Sequence, residues 1–210
     1  MSSNTNVIGS TSSRSNIRTM VQIGMLGAVS VVLMMFEFPL WFAPGFYKID
    51  LSEVPVLIGT FAMGPVAGVM IELIKVILHL LLKGSTTAGL GDAANFLIGC
   101  SLILPAGIIY KRIKSRKGAL IGMAAGTLIL ITIGSFLNAF VLLPVYAKAF
   151  GLPMETLVGM GSAVNPAITN VTTFVLLAVA PFNLLKGVVV SVITFGLYKY
   201  VSPILKGNPM

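Results

Sequence analysis

Residues 54–82 read VPVLIGTFAMGPVAGVMIELIKVILHLLL, and this apolar run decides how many times the chain crosses a membrane. Its 29 residues exceed the roughly 20 that one helix needs to span the hydrocarbon core, yet they fall short of two full crossings. Gly64-Pro65 interrupts the run, and proline removes a backbone donor and restricts the residue before it. The run therefore predicts either one kinked helix or two short helices joined at Gly64-Pro65.

Four further apolar stretches have the length of a membrane-spanning helix. Of the 210 residues, 56% are hydrophobic and only 10% are charged, whereas a soluble domain averages about 25% charged residues. This composition excludes a water-soluble globular protein. The four stretches cover residues 19–36, 93–110, 118–147 and 171–198, the last of them interrupted by Lys186.

The positions of the basic side chains indicate the orientation, because cytoplasmic loops collect lysine and arginine. Six crossings with a cytoplasmic N-terminus place nine basic residues inside and three outside, whereas five crossings give at best eight against four. The sequence therefore predicts an all-α integral membrane protein with six transmembrane helices, both termini cytoplasmic, and helices two and three short and joined at Gly64-Pro65. The inside residues are Arg14, Arg18, Lys111, Arg112, Lys114, Arg116, Lys117, Lys199 and Lys206, and the outside residues are Lys48, Lys83 and Lys148.

The remaining segments complete this organisation. Residues 1–16 are rich in Ser, Thr and Asn, which predicts a flexible polar tail before a single six-helix domain over residues 17–206. The basic cluster at residues 111–117 is interpreted as a topology determinant with a few anionic-lipid contacts, and not as a nucleic-acid site. One Cys and one His exclude an internal disulfide framework and leave too few soft ligands for a zinc or iron–sulfur site.

Three ionisable side chains interrupt the third predicted helix. Glu72, Lys75 and His79 are spaced i, i+3 and i+7, so they lie along one helix face. Ionisable groups are costly in the bilayer core, and this face must therefore contact protein or water. It forms either a polar lining or proton relay, or an ion pair between Glu72 and Lys75 that fixes helix packing. The ion pair is favoured because nothing else in the sequence supplies a proton pathway.

A group of amides and one lysine is predicted near the outer side of the membrane. Asn183 and Lys186 are three residues apart on one face of the final helix. Asn138 lies near the outer end of the fifth helix, and Asn95 near the outer start of the fourth. Four polar groups at one depth predict a site for a polar heterocycle. The alternative for Lys186 is that its side chain snorkels to the outer headgroups.

The first outer loop reads EFPLWFAPGFY over residues 37–47 and combines several aromatic rings with two prolines. Interfacial anchoring accounts for part of this pattern, but it does not account for the prolines. A stiff aromatic loop above a cluster of amides predicts a lid on a flat, partly apolar ligand, with Trp41, Phe42 and Phe46 available for stacking.

Helix one carries a strip of small residues, Gly24, Gly27 and Ala28. Such strips let helices approach closely in lipid, and the partner helix is either in the same chain or in another subunit. The sequence contains no G-x-x-x-x-G-K-[ST] motif, so any ATP-driven work requires other subunits. It also lacks the residue groups that an intramembrane protease needs, which predicts that the chain is not an enzyme.

Five further motifs follow one another along the chain. They are KIDLSEVPVLIG at 48–59, FAMGPVAG at 61–68, ANFL at 94–97, LNAFVLLPVY at 137–146 and PFNLLKG at 181–187. Together, in this order over roughly residues 17–204, they resemble the riboflavin-binding S components of energy-coupling-factor (ECF) transporters.

The resemblance implies a six-helix subunit in the cell membrane of a prokaryote that captures riboflavin from outside. It also implies partners, namely a transmembrane coupling subunit and two ATPases, which would explain the absent ATP-binding motif. In that family the amides and lysine corresponding to Asn138, Asn183 and Lys186 hold the polar edge of the flavin. The first outer loop closes over the ring, with Leu40 and Phe46 at the contact positions. Small residues on helix one dock on the coupling subunit, here Gly24 and Ala28.

The chemistry of riboflavin suits these residues. Its dimethylbenzene end fits the aromatic loop, its pyrimidine edge alternates donors and acceptors that suit amides, and its ribityl chain would reach Asn95. Lys186 would be costly to bury alone, so we expect the ligand or a nearby carboxylate to compensate its charge. Two alternatives stay open, an S component for another vitamin and a stand-alone proton-coupled carrier built around Glu72, Lys75 and His79.

Overall fold

A computed structural model describes residues 8–84 and 89–206, with side chains described over 17–84 and 89–201. Nine helices and one short hairpin make up this part of the chain. The hairpin strands are β1 (Phe38–Pro39) and β2 (Lys48–Ile49). The helices are α1 (Ile8–Met35), α2 (Glu53–Met63), α3 (Pro65–Lys83), α4 (Leu90–Arg112), α5 (Arg116–Leu137), α6 (Leu143–Phe150), α7 (Met154–Ser162), α8 (Val171–Phe174) and α9 (Ala180–Lys206), with π-helical segments Asn138–Leu142 and Val175–Val179 joining α5 to α6 and α8 to α9.

Five helical segments are long and apolar enough to cross a membrane. The expectation of a helical, multi-pass membrane protein is therefore confirmed, and the small hairpin is an addition that the sequence pattern did not predict. Helix α2 is apolar but has only 11 residues. The five segments are Ile17–Met35, Pro65–Lys83, Leu90–Arg112, Arg116–Phe150 and Val171–Val201.

The chain breaks into two helices at Gly64, as one of the two sequence interpretations predicted. Gly64 has φ 103°, a left-handed conformation that favours glycine, and its N–H donates to the carbonyl of Thr60 at 2.9 Å. Pro65 then occupies the first turn of α3, where a missing N–H costs nothing. The prediction that both helices are short is right for α2 and wrong for α3. Because the break is off-centre, α3 keeps 19 residues, about 28 Å, which spans the hydrocarbon core.

The N-terminal boundary differs from the expected one. Helix α1 begins at Ile8, so part of the segment 1–16 that was expected to be a flexible tail is helical. Residues 1–7 of that expected tail lie outside the described residues. The single six-helix domain over residues 17–206 stays a prediction.

The main core forms where α2, α3, α4, α5 and α9 meet. Leu57, Ile71, Leu102, Met123 and Val190 contribute one fully buried side chain from each of these helices. Helices α4 and α5 approach closely because α5 carries glycines at the contact. A second, smaller apolar cluster packs α6, α7 and α8 over one end of the bundle.

The β-hairpin closes the first loop and attaches it to α3. Phe38 pairs with Ile49 in the antiparallel register, and the Glu37 carboxylate binds the ammonium groups of Lys48 at 2.6 Å and Lys83 at 2.5 Å. Burial alone would raise the pKa of Glu37, but the two lysines outweigh burial and hold this pKa below its usual value. We call this end of the bundle the hairpin end, and the opposite end, where α2 turns into α3, the basic end.

The small residues of α1 divide between two faces. Gly27 is buried against α3, and a Cβ atom there would lie 2.6 Å from Cγ2 of Ile74. Gly24 and Ala28 are exposed, and a Cβ atom at Gly24 would meet no atom of another element within 4 Å. Of the three small residues in the strip, Gly27 therefore packs within this chain, and docking of a partner on the strip stays a prediction.

Replacing Gly122 by alanine tests the α4–α5 contact. A Cβ atom at this position would lie 2.7 Å from the backbone carbonyl oxygen of Ala106, so the two helices must separate. We expect the free energy of unfolding to fall by about 1–3 kcal/mol, measured by thermal unfolding in detergent. Gly24→Ala on the exposed face of α1 is the matched control and should not lower stability, because alanine is the better helix former and has open space there. Equal stability of both variants would contradict this packing.

Candidate ligand-binding site

A cavity of about 130 Å³ lies at the hairpin end. It brings together most of the residues that the sequence singled out as binding groups, although they come from separate elements. The loop before β2 contributes Phe46, α4 contributes Asn95, the π-helical segment after α5 contributes Asn138, and α9 contributes Asn183 and Lys186. We call it the outer cavity.

The π-helical segment fixes Asn138. Its amide Nδ2 donates to the carbonyl of Gly134 at 2.8 Å, and its Oδ1 accepts from the Tyr47 hydroxyl at 2.6 Å. Only 3% of Asn138 is exposed. Because π-helical turns recur at functional sites and widen the helix locally, the segment accounts for an amide that faces a cavity and not the lipid.

Asn183 presents an unused donor. Its side chain is buried, and its Nδ2 has no hydrogen-bond partner among the described residues. Gly134 on α5 makes room for it, since a Cβ atom at that glycine would lie 2.5 Å from Nδ2. An unpaired buried donor costs about 1–3 kcal/mol, so this amide is suited to a ligand that supplies an acceptor.

Lys186 is buried beside carboxylates. Its Nζ lies 3.5 Å from Oδ2 of Asp50 and 3.9 Å from Oε1 of Glu53. The expectation that a carboxylate compensates this lysine is confirmed, and the snorkelling alternative is wrong. Burial alone would raise the pKa of Asp50, yet Lys186, Lys75 and hydrogen bonds from Ser52 hold this pKa below its usual value. Asp50 is therefore ionised and pairs with Lys186 at neutral pH.

A second buried lysine lies next to the residues that line the cavity. Lys75 is fully buried, and its ammonium lies 2.7 Å from Glu72, 2.9 Å from Glu53 and 3.1 Å from Oδ1 of Asn95. The predicted Glu72–Lys75 ion pair is confirmed, and it is part of a larger cluster that joins α2, α3 and α4. An ammonium only donates, so Asn95 must turn its oxygen towards Lys75. Its Nδ2 donor then remains for the outer cavity.

His79 belongs to a separate pair. Its Nδ1 lies 2.6 Å from Oδ1 of Asp92, which links α3 to the first turn of α4. Neither residue is among those that line the outer cavity. The helix face that carries Glu72, Lys75 and His79 therefore holds two distinct buried pairs.

The aromatic loop contributes a residue that the sequence analysis missed. Tyr47 lines the cavity, and its ring centroid lies 4.7 Å from that of Phe46 and 5.3 Å from that of Phe182. Burial raises the pKa of the Tyr47 hydroxyl, so it stays a neutral donor to Asn138. The sequence showed that the loop is aromatic, but it did not show which rings face the cavity. The pairing of β1 with β2, which begins at Lys48, sets which rings turn inward.

Three loop residues that were predicted to bind ligand lie elsewhere in this structure. Leu40, Trp41 and Phe42 are not among the residues that line the outer cavity. Trp41 is 89% exposed, and its ring forms an edge-to-face contact with that of Phe42, with ring centroids 5.4 Å apart. Their role in binding stays a prediction.

The outer cavity combines two chemistries. Aromatic rings from Phe46, Tyr47 and Phe182 form an apolar part, and Asn183 and Lys186 supply N–H donors. This arrangement suits a flat ring with an apolar end and an edge rich in acceptors. Among residues 17–84 and 89–201, no group of three or more His, Cys, Asp or Glu side chains is arranged to hold a metal ion.

The chain is similar to known proteins over most of its length. The chain is 35% identical to the riboflavin transporter RibU of Staphylococcus aureus (strain TCH60) over 189 residues, covering 90% of this chain and 93% of the relative. It is 32% identical to the riboflavin transporter FmnP of Bacillus subtilis (strain 168), covering 84% and 88%.

A solved structure and a family description point the same way. The structure reported as "Structure and mechanism of the S component of a bacterial ECF transporter" superposes with a TM-score of 0.71 at 34% identity, covering 91% of this chain and 99% of that one. Residues 18–198 match the family described as "ECF transporter, substrate-specific component". The protein is thus a multi-pass membrane protein that belongs to the substrate-specific components of ECF transporters.

Proposed function

We propose that this chain binds riboflavin at the outer cavity and delivers it for uptake by an ECF transporter. The observation that carries the proposal is the unpaired amide donor of Asn183, which lines one cavity together with Lys186 and the aromatic rings of the loop. The relatives named as riboflavin transporters support the choice of a flavin over another vitamin.

The donors and acceptors suggest how the flavin lies. Its pyrimidine carbonyls accept from Asn183 and Lys186, and its dimethylbenzene end contacts the rings of Phe46 and Tyr47. The ribityl chain reaches the free Nδ2 of Asn95. The flavin N–H competes with the Tyr47 hydroxyl for Oδ1 of Asn138.

The loop must move to admit this ligand. Pockets for ligands of this size measure about 300 Å³ or more, and the outer cavity measures about 130 Å³. The Tyr47–Asn138 hydrogen bond holds the loop against the π-helical segment, so its exchange for a flavin contact couples binding to loop position. Such movement also gives Leu40, Trp41 and Phe42 a route to the ligand.

We further propose six crossings with both termini in the cytoplasm. The short helix α2 adds one crossing to the five longer segments. Direction along the bundle supports this count: α2 runs from the hairpin end to the turn at Gly64, and α3 returns. The basic loop at residues 111–117 lies at the opposite end from the hairpin, since Lys111 and Lys114 line one cavity with Gly64. The Phe61–Tyr198 ring contact, at 5.5 Å, supports the same basic end for the final part of α9.

The proposed partners are a transmembrane coupling subunit and two ATPases. The chain itself carries no Walker motif, so it would act as a binding subunit and not as an enzyme. The exposed small residues Gly24 and Ala28 provide a face on which another helix can pack closely. We assign the docking role to this face and not to the buried Gly27.

Titration of the purified chain with riboflavin tests this function. We expect saturable quenching of flavin fluorescence at submicromolar ligand, and uptake into liposomes only when the coupling subunit and ATPases are present. Absence of quenching would contradict the flavin assignment. Uptake by the chain alone would instead favour the proton-coupled carrier, and binding of thiamin or a folate in place of riboflavin would favour another vitamin.

Alanine at Asn183 or Lys186 should weaken riboflavin binding by about 1–3 kcal/mol each, because each change removes a buried donor to the flavin. The dissociation constants are measured by fluorescence quenching. Lys199→Ala is the control, since this exposed lysine lies on the same helix outside the outer cavity. Unchanged affinity in both site variants would remove the assignment.

Asp50→Asn should weaken riboflavin binding at neutral pH and remove part of its pH dependence. The depressed pKa of Asp50 means that its ion pair with Lys186 is present at neutral pH and is lost as the pH falls through that pKa. Affinity of the unchanged chain should therefore fall on acidification, and the Asn variant should show a smaller fall. Glu155→Gln, at an exposed position of α7, should behave as the unchanged chain does. An identical acid profile for Asp50→Asn would exclude this role.

A further inference from the structure

A second cavity lies at the basic end, where α2 turns into α3 and α4 ends. Its volume is about 300 Å³. The lining includes the turn at Gly64 and Pro65, the exposed Val66, and two lysines, Lys111 at the end of α4 and Lys114 in the following loop. We call it the basic-end cavity.

Tight packing pre-forms the walls of this cavity. The ring of Phe61 lies 4.8 Å from that of Tyr110, and the hydroxyl groups of Tyr110 and Tyr198 are hydrogen-bonded to each other. A Cβ atom at Gly107 would lie 3.1 Å from Cβ of Pro65, so α4 presses closely on the turn between α2 and α3. The walls that α2, α3 and α4 contribute are therefore held by packing, and the following loop adds Lys114.

The two lysines have no acidic partner in the described chain. Across residues 17–84 and 89–201, no carboxylate lies within 4.0 Å of Lys111 or Lys114. Four of the six acidic side chains, Asp50, Glu53, Glu72 and Asp92, are instead buried in the ion pairs described above. Among the described residues, these two exposed lysines are therefore available to an anion from another molecule.

We propose that the basic-end cavity binds the headgroup of an anionic glycerophospholipid. The phosphate lies between the ammonium groups of Lys111 and Lys114, and an acyl chain leaves past Val66, which is 77% exposed. Basic pockets at the cytoplasmic ends of membrane helices suit such headgroups. The site rests on the proposed orientation but not on what the outer cavity binds. Free phosphate shares the charge but has no apolar part to contact Val66.

Native mass spectrometry of the purified full chain tests the site. We expect phosphatidylglycerol to bind in preference to phosphatidylcholine with the same acyl chains. The variant Lys111→Gln with Lys114→Gln should bind phosphatidylglycerol about 30-fold more weakly, with phosphatidylcholine unaffected. The control Arg116→Gln with Lys117→Gln removes the same charge from the same loop outside the cavity lining, and it should keep phosphatidylglycerol binding close to that of the unchanged chain.

Three results would overturn the proposal. Equal losses in the two variants would assign the effect to the general charge of the loop. Undiminished phosphatidylglycerol binding by Lys111→Gln with Lys114→Gln would exclude the two lysines. Displacement of phosphatidylglycerol by millimolar inorganic phosphate would identify a site for a small anion and not for a lipid. Thermal unfolding of each variant verifies that it is folded, as expected for changes at exposed basic residues.

Discussion

The ammonium group of Lys75 is the constraint on which the rest of the bundle depends. A fully buried charge is tolerated only when other charges and hydrogen bonds surround it, and Glu53, Glu72 and Asn95 do so here. These partners come from α2, α3 and α4. Any sliding of one helix against another would leave a buried charge unpaired, so the cluster fixes the relative positions of the three helices.

The same cluster also contacts residues that line the outer cavity. Glu53 contacts Lys75 and lies within reach of Lys186, so the cluster extends from α2 and α3 to α9. The oxygen of Asn95 is occupied by Lys75, which leaves its donor for the cavity. This donor and the amide of Asn183 line the polar part of the cavity, and the rings of the loop line its apolar part. A stabilising ion-pair cluster thereby determines the hydrogen-bonding character that the binding site presents.

Local sequence patterns predicted the elements whose causes are local. The break at Gly64 follows from glycine and proline geometry, and the amides and Lys186 stand out because polar groups are rare in apolar helices. The hairpin, helix α7 and the inward turn of Tyr47 were not predicted. The roles of Asp50 and Glu53 were missed because Asp50 pairs with a lysine 136 residues away in sequence, and such pairing leaves no periodic signal. For Trp41 the sequence pattern left two roles open, since an aromatic residue in a loop suits both a lid and an exposed interfacial anchor.

The most direct test of this account is the free energy of unfolding of Lys75→Met compared with that of Lys75→Met combined with Glu72→Met. We expect a loss of about 3–5 kcal/mol for the single change, because it leaves buried carboxylates without their cation. The second change should recover most of this loss, since it removes Glu72, while Glu53 keeps Lys186 nearby. A single variant as stable as the unchanged chain would contradict the claim that Lys75 holds the helices in place.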